Sequence, residues 1–418
     1  MPRTPSSSGA PEYWRRLVGL FFVGWVLIYA NRTVLSPLLP VIQEQWGLSK
    51  AQLGLLNSAF FLMYTLMQVP TGVLADRFGR RRLLLPGYLV HGLGAAVSGI
   101  AGGHGAFLAA RAATGLGQST YYATQYALAS EVIPGPFRAL GMAIINSGMA
   151  FGIALGMSIA SASLLVGGGA WRWAFVVLGG LTIVLWAVMV RLIRPEAGGV
   201  GPAPRPDPRA ASGIQPSARA GPNGNVLLAY VVAFATMYGF FVILTWLPYY
   251  LQTQRGLAGA QAGVVSAAVA FTAVPAGVFA GGLSDRLGRR RPVLIALIPL
   301  SALALVMIVV SPGMPGVYMA IALYGLTGKL VLDPLVVALV ADATPAASYG
   351  TAFGLLNFSG TISTVLAPAV TGYIADVSGT FVSAFLLAAA LQVIATGCLL
   401  AMRAEPARGP GRAGKQAA

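Results

Sequence analysis

Four ionisable side chains lie inside long apolar runs of this chain: Arg32, Arg111, Lys329 and Asp333. Three cations against one carboxylate leave an excess of positive charge where a hydrocarbon environment tolerates charge least. An arginine at the centre of a membrane helix costs roughly 2.5–3.5 kcal/mol on insertion scales, so such groups face protein or a water-filled cavity. A buried cation without a partner is completed by an anion. Arginine suits a carboxylate because its fork binds both oxygens, whereas lysine acts as a point charge. This pattern describes a receptor for a small organic anion, with Arg32 and Lys329 as its hooks. Asp333 follows Lys329 by one helical turn on the same face. It can pair with the lysine or, once a substrate takes the lysine, accept a coupling proton; we favour coupling. Pro334 beside it removes a backbone donor and predicts a kink there.

Uncharged polar and aromatic residues extend the pattern. Tyr29 and Asn31 flank Arg32 in the first apolar run. The second run carries Asn57, Tyr64 and Gln68 at i, i+7 and i+11, one face of a helix. The fourth carries Gln118, Tyr122 and Gln125 at i, i+4 and i+7, an amide and aromatic stripe able to hydrogen-bond and stack on a small solute. Tyr238 and Phe241 in the seventh run and Asn357 in the eleventh complete the candidate substrate-binding set. His91 reads as a hydrogen-bonded packing residue. The ladder Gly148, Gly152, Gly156 reads as a surface for close helix approach.

The elements that position these residues are membrane helices. Of 418 residues, 56% are hydrophobic and only 9% charged, with a mean hydropathy of +0.75, far outside the range of soluble domains. Twelve runs of about 20 residues or more can be laid end to end. The net charge of +16 does not point to nucleic acid, because of where it sits. With the amino terminus inside, 21 Lys and Arg fall on inside segments and three, Lys50, Arg172 and Arg255, on outside loops. That is the positive-inside asymmetry of a multi-pass protein with both termini cytoplasmic. Residues 194–224 are rich in Pro, Gly, Ala, Ser and Arg and read as a flexible cytoplasmic linker. The expected division is a disordered tail at 1–13, a six-helix bundle at 14–193, the linker, a second six-helix bundle at 225–403 and a cytoplasmic tail at 404–418. A lone cysteine, Cys398, gives no disulfide framework or metal site, and no cofactor is expected. No nucleophile and base pairing suggests an enzyme.

The two bundles are related by a repeat. Gly72-Val-Leu-Ala-Asp-Arg-Phe-Gly-Arg-Arg-Arg82 recurs as Gly281-Gly-Leu-Ser-Asp-Arg-Leu-Gly-Arg-Arg-Arg291, 209 residues on and without a gap. A second match, around Glu131 and Asp342, has an offset of 211 and sets Lys329 opposite Gln118. Such internal symmetry suits a site shared between two halves.

With twelve spans, the paired loop motif, Arg111 to Gly117 in the fourth span and Trp171-Arg172-Trp173-Ala-Phe175 in the sixth, the chain resembles the major facilitator superfamily of secondary transporters. The resemblance implies an all-α membrane protein of two pseudo-symmetric six-helix bundles that opens a central cavity alternately to each side. It assigns conformational gating to Asp76, Arg77 and Arg80, to Asp285 and Arg286, and to Arg111. Tyr29 to Leu35 with Arg111 and Gly115 to Gln118 looks like the anion:cation symporter branch, which moves sugar acids and other organic anions. That branch has carboxylates where this chain has Asn31 and Gln118, a departure from its proton route. The expected function is proton-coupled transport of a small carboxylate by a monomer in a bacterial inner membrane, with the lipid bilayer as its other partner. The alternative is a lipid, amphiphile or drug exporter of the same superfamily.

Overall fold

In hydrocarbon a single segment can satisfy its own backbone only as a helix. The computed structural model describes residues 10–167, 169–194, 224–344 and 349–403, and no strand occurs among them. In chain order the helices are α1 (Ala10–Thr33), α2 (Leu39–Trp46), α3 (Lys50–Phe78), α4 (Arg80–Ile100), α5 (His104–Ser119), α6 (Tyr121–Val132), α7 (Gly135–Val166) and α8 (Trp171–Leu192). They continue as α9 (Gly224–Thr253), α10 (Gly259–Leu287), α11 (Arg291–Val310), α12 (Met314–Thr327), α13 (Lys329–Ala343), α14 (Tyr349–Ser378) and α15 (Val382–Ala401). Eleven stretches are long and apolar enough to cross a membrane. The remaining span is α5 continued by α6, each too short alone and separated only by Thr120. Residues 10–13, expected in a disordered tail, already belong to α1. The expected tail at 1–9, linker at 195–223 and tail at 404–418 lie outside the described residues.

Three spans are interrupted, and each interruption has a local cause. The first breaks after Thr33 into a 3-10 turn, Ser36–Leu38, before α2, where Pro37 and Pro40 withhold backbone donors. The fourth breaks at Thr120, whose hydroxyl turns back to the Gly117 carbonyl (2.9 Å). The tenth breaks at Gly328, which is extended at ψ −171°. Pro334, expected to kink this span, lies within α13, six residues past the break. The chain relieves the helix where a missing Cβ permits it: a methyl group on Gly328 would meet the Tyr324 carbonyl oxygen at 2.5 Å.

The chain divides into two compact units, one of Met1–Leu35 and Ala59–Gly213, the other of Ser36–Ser58 and Ile214–Ala418. In the first, α1 packs along α7, and α4 lies between α5 and α8. The glycine ladder is the reason for the first contact. Gly148, Gly152 and Gly156 of α7 lie against the carbonyls of Phe22, Val26 and Ala30, one helical repeat apart on α1, with no room for a Cβ at any of them. Trp171 opens α8 and closes a ring cluster with Phe107 and Phe175. Its neighbour Arg172 donates to the Ala101 carbonyl (2.6 Å) at the end of α4, where a cation also complements the helix dipole.

The second unit repeats these pairings, α9 along α14, and α11 with α12 and α15. It also takes up Ser36–Ser58, a segment that the sequence division places with the amino-terminal bundle. The start of α3 is fixed there by a capping box. Ser49 Oγ accepts from the Gln52 amide (3.2 Å) and Gln52 Oε1 accepts from the Ser49 amide (2.9 Å). The two intervening donors go to a carboxylate on α14, Lys50 N–H to Asp376 Oδ1 (3.0 Å) and Ala51 N–H to Asp376 Oδ2 (2.7 Å). Further along, Ser58 donates to the Val365 carbonyl (2.6 Å), and Gly54 and Gly372 leave room for the crossing of α3 over α14.

Candidate functional site

Arg32 occupies the last turn of α1, where the free carbonyls of the helix end favour a cation. The glycine ladder holds α1 in place from one side. Gly115 lets α5 approach α3 closely, since a Cβ there would strike the backbone of Phe60, one of the rings beside Arg32. The side chain is 7% exposed. Its guanidinium carbon stands 4.8 Å from the ring centre of Tyr29, 5.0 Å from Tyr64, 5.5 Å from Phe61 and 5.8 Å from Phe60, a cation-π environment on several sides. Nε donates to Gln118 Oε1 (3.1 Å). Among the described residues no carboxylate pairs with Arg32. A buried guanidinium set among rings and hydrogen-bonded to an amide has the chemistry to bind a carboxylate.

The neighbouring residues divide into those that reach this group and those used elsewhere. Tyr29, Tyr64 and Gln118 surround Arg32. Asn31, next to it in sequence, points away: its amide donates to Thr182 Oγ1 (3.1 Å) and the Leu27 carbonyl (2.9 Å). Gln125 accepts from the Trp25 indole (3.1 Å). Tyr122 is 42% exposed and meets the rings of Trp25 and Tyr126. Asn57 is buried and donates to Thr245 Oγ1 on α9 (3.3 Å), within the second unit. Arg111, assigned above to gating, is fully buried; it donates from Nη1 to the Asn31 carbonyl (2.9 Å) and lies over Phe60 (4.8 Å). It therefore holds the end of α1 from which Arg32 projects. His91 Nδ1 lies 3.0 Å from the Thr114 carbonyl, as a packing histidine does.

In the second unit Lys329 is the first residue of α13, immediately after the break at Gly328. Its ammonium lies 3.3 Å from Asp333 Oδ2 and 5.7 Å from the ring centre of Phe240. The lysine side chain is 11% exposed and the carboxylate 51%, so the pair is sealed at its cation and open at its anion. Tyr238 is buried and stacked with Phe234, and Phe241 sits edge-on to Phe240. Asn357 is exposed. Neither the break at Thr120 nor that at Gly328 was foreseen. The signal for the second was a glycine directly before a charge in mid-span.

The two copies of the basic motif hold their units differently. The motif glycines Gly79 and Gly288 both take positive φ, +97° and +61°, a conformation that side chains disfavour. In the first copy Arg80 pairs with Glu131 at the end of α6, and Arg81 donates to the Val190 and Ile193 carbonyls at the end of α8 (2.9 and 2.8 Å). In the second, Arg290 pairs with Asp285 and with Asp342 of α13 (3.7 Å), and Arg291 donates to the Leu400 carbonyl of α15 (2.9 Å). The same tasks thus fall one arginine later. Arg77 is exposed beside Phe78, and Arg286 is also exposed. The side chain of Asp76 lies outside the described residues.

Known proteins resemble this chain over nearly its whole length. The hexuronate transporter of Bacillus subtilis (strain 168) is 28% identical, covering 90% of this chain and 91% of its own. A probable 4-methylmuconolactone transporter of Cupriavidus pinatubonensis is 30% identical, covering 69% of this chain and 67% of its own. The solved structure of a bacterial homologue of the human lysosomal transporter Spinster, inward-facing and unoccupied, superposes with a TM-score of 0.71 at 18% identity, covering 96% of this chain and all of its own, a likeness of fold. The family model described as Major Facilitator Superfamily matches residues 21–260 and 229–418. This multi-pass membrane protein therefore belongs to the Major Facilitator Superfamily.

Proposed function

We propose that the protein is a secondary transporter that carries a small organic carboxylate into a bacterial cell by alternating access, driven by protons. The observation that carries this reading is Arg32, a buried guanidinium without a carboxylate partner among the described residues, packed in rings and held by Gln118. Its guanidinium fork binds the substrate carboxylate. Relatives named for hexuronate and 4-methylmuconolactone transport support an organic anion as cargo. With Asn31 and Gln118 as amides, the coupling proton goes to Asp333, whose carboxylate is half exposed while paired with Lys329. Anion contact with the lysine loosens that pair and releases the Asp333 carboxylate. Cytoplasmic termini are supported by 21 basic residues on inside segments against three outside, and a bacterial inner membrane by the Ala/Gly/Arg-rich composition.

Reconstituted into proteoliposomes with an acidic exterior, the protein should accumulate a carboxylate substrate. Arg32→Ala should abolish both accumulation and substrate exchange. Asp333→Asn should retain exchange and lose gradient-driven accumulation. Gradient-driven uptake by Asp333→Asn at the original rate overturns the coupling role, and carboxylate exchange by Arg32→Ala at the original rate overturns the anion hook.

A further inference from the structure

Resting on the anion reading above, we infer that Gln68 is a positioning residue: acting through Tyr64, it turns the Tyr64 hydroxyl into a hydrogen-bond donor for the carboxylate held by Arg32. The first observation is where the packing puts Tyr64. Two contacts hold α3 beside α5, the close approach of Gly115 to the backbone of Phe60 and a hydrogen bond from the Thr71 hydroxyl to the Ser119 carbonyl (3.0 Å). Tyr64 lies on the stretch of α3 between them, and Gln118, which takes Arg32 Nε, lies on the facing stretch of α5. The Tyr64 ring centre is 5.0 Å from the guanidinium carbon, and its hydroxyl meets the guanidinium. The tyrosine is 7% exposed.

The second observation is the direction of the hydrogen bonds at that hydroxyl. Gln68 follows Tyr64 by one helical turn on the same face, and its Nε2 donates to Tyr64 Oη (2.8 Å). A guanidinium carries donors only, so its contact with the hydroxyl also falls on the oxygen. The phenol oxygen is thereby used as an acceptor, and what it has left to offer is its proton. Among the described residues no oxygen accepts that proton. A desolvated donor left unmade costs about 1–3 kcal/mol, and a carboxylate on the Arg32 fork supplies the acceptor. With its lone pairs turned to Gln68, the phenol oxygen also avoids facing the carboxylate oxygens. Gln68 and Gln118 thus do opposite work, one donating to a phenol oxygen and the other accepting from a cation.

The test is calorimetric titration of the purified full-length protein with D-glucuronate, D-galactonate and benzoate, the tightest of the three serving for the comparison. Tyr64→Phe, which keeps the ring and loses the proton, should weaken binding about tenfold, as expected for a hydrogen bond to a charged group. Gln68→Met should weaken it about threefold in the parent protein and no further in Tyr64→Phe, where no hydroxyl remains to be turned. In proteoliposome exchange Gln68→Met should raise the half-saturating concentration by the same factor and leave the maximal rate unchanged, a split that a loss of packing would not give. An equal loss from Gln68→Met in both backgrounds, or none in the parent, would overturn the positioning role and leave the anion reading intact. Failure of all three carboxylates to bind would overturn both.

Discussion

Arg32 and Lys329 are both cations at the edge of a helix break inside a membrane span, yet they are kept in opposite ways. Arg32 closes α1, is wrapped in four aromatic rings and has an amide as its polar partner. Lys329 opens α13 and has its own counter-ion one turn later, with Asp333 at 3.3 Å. A guanidinium never deprotonates in a protein, so it can be stored without a counter-ion only where π-faces and helix-end carbonyls support it. An ammonium stored as an ion pair is neutral overall, and its state changes when either member changes. On the proposed transport reading, the difference gives permanent anion attraction to the first unit and switchable charge to the second.

The sharpest test of that division is to remove each cation. Arg32→Ala should weaken binding of a carboxylate substrate by about a hundredfold or more, since a charge-assisted pair in a desolvated site costs 2–5 kcal/mol when truncated. Arg32→Lys should recover little of it, because a point charge does not reproduce the fork. Lys329→Ala should cost about tenfold, as the lysine is already partly satisfied. The double variant Lys329→Ala/Asp333→Ala should bind a carboxylate better than Lys329→Ala alone, because the single change leaves an unpaired negative charge that repels the substrate. Calorimetric titration of the four proteins measures this. Equal losses at Arg32 and Lys329 would remove the asymmetry.

A milder change should turn the first arrangement into the second. Gln118 accepts from Arg32 Nε at 3.1 Å, so Gln118→Glu supplies the arginine with a carboxylate of its own. Affinity for the anion should then fall several-fold at pH 8, about 1 kcal/mol for a competing internal pair. The loss should persist at pH 6, because the Arg32 guanidinium beside the new carboxyl holds it ionised. Titrations of both proteins at pH 6 and pH 8 decide it, and a variant that binds as tightly as the parent would mean that Gln118 does not face the occupied fork.

Much of this organisation was legible in the sequence because hydrocarbon leaves few choices. Runs of apolar residues become helices, basic residues mark one side, and a motif repeated 209 residues apart marks two like halves. The glycine ladder on α7 was readable for the same reason, as spacing by four on a helix is a geometric statement. The directions of polar side chains were not legible. Asn31 sits beside Arg32 in sequence yet turns to Thr182, and Asn57 shares a helix with Tyr64 yet binds Thr245. Periodicity gives the face of a helix but not which neighbour packs on that face. The breaks at Thr120 and Gly328 carry no proline to mark them, and Pro334 lies inside α13.

Another ion pair, at the ends of two spans, extends the comparison to a pair that works by geometry more than by charge. Lys50 Nζ lies 3.8 Å from Asp376 Oδ1, and both side chains are partly open to water, at 21% and 28%. Such a pair by itself contributes between zero and about 1 kcal/mol. The carboxylate also accepts the first two amides of α3, which Ser49 and Gln52 leave unsatisfied, and a lost helix cap costs about 1 kcal/mol. Asp376→Ala should therefore lower the midpoint of thermal unfolding in detergent by about 2 °C, small because the chain is large. Asp376→Asn, which keeps an oxygen for one amide and loses the charge, should lose about half as much. Lys50→Ala, which loses the ammonium and keeps both backbone donors, should change it least. If Lys50→Ala proves the most damaging of the three, the contact is an ion pair of the Lys329 kind and the capping account of α3 fails.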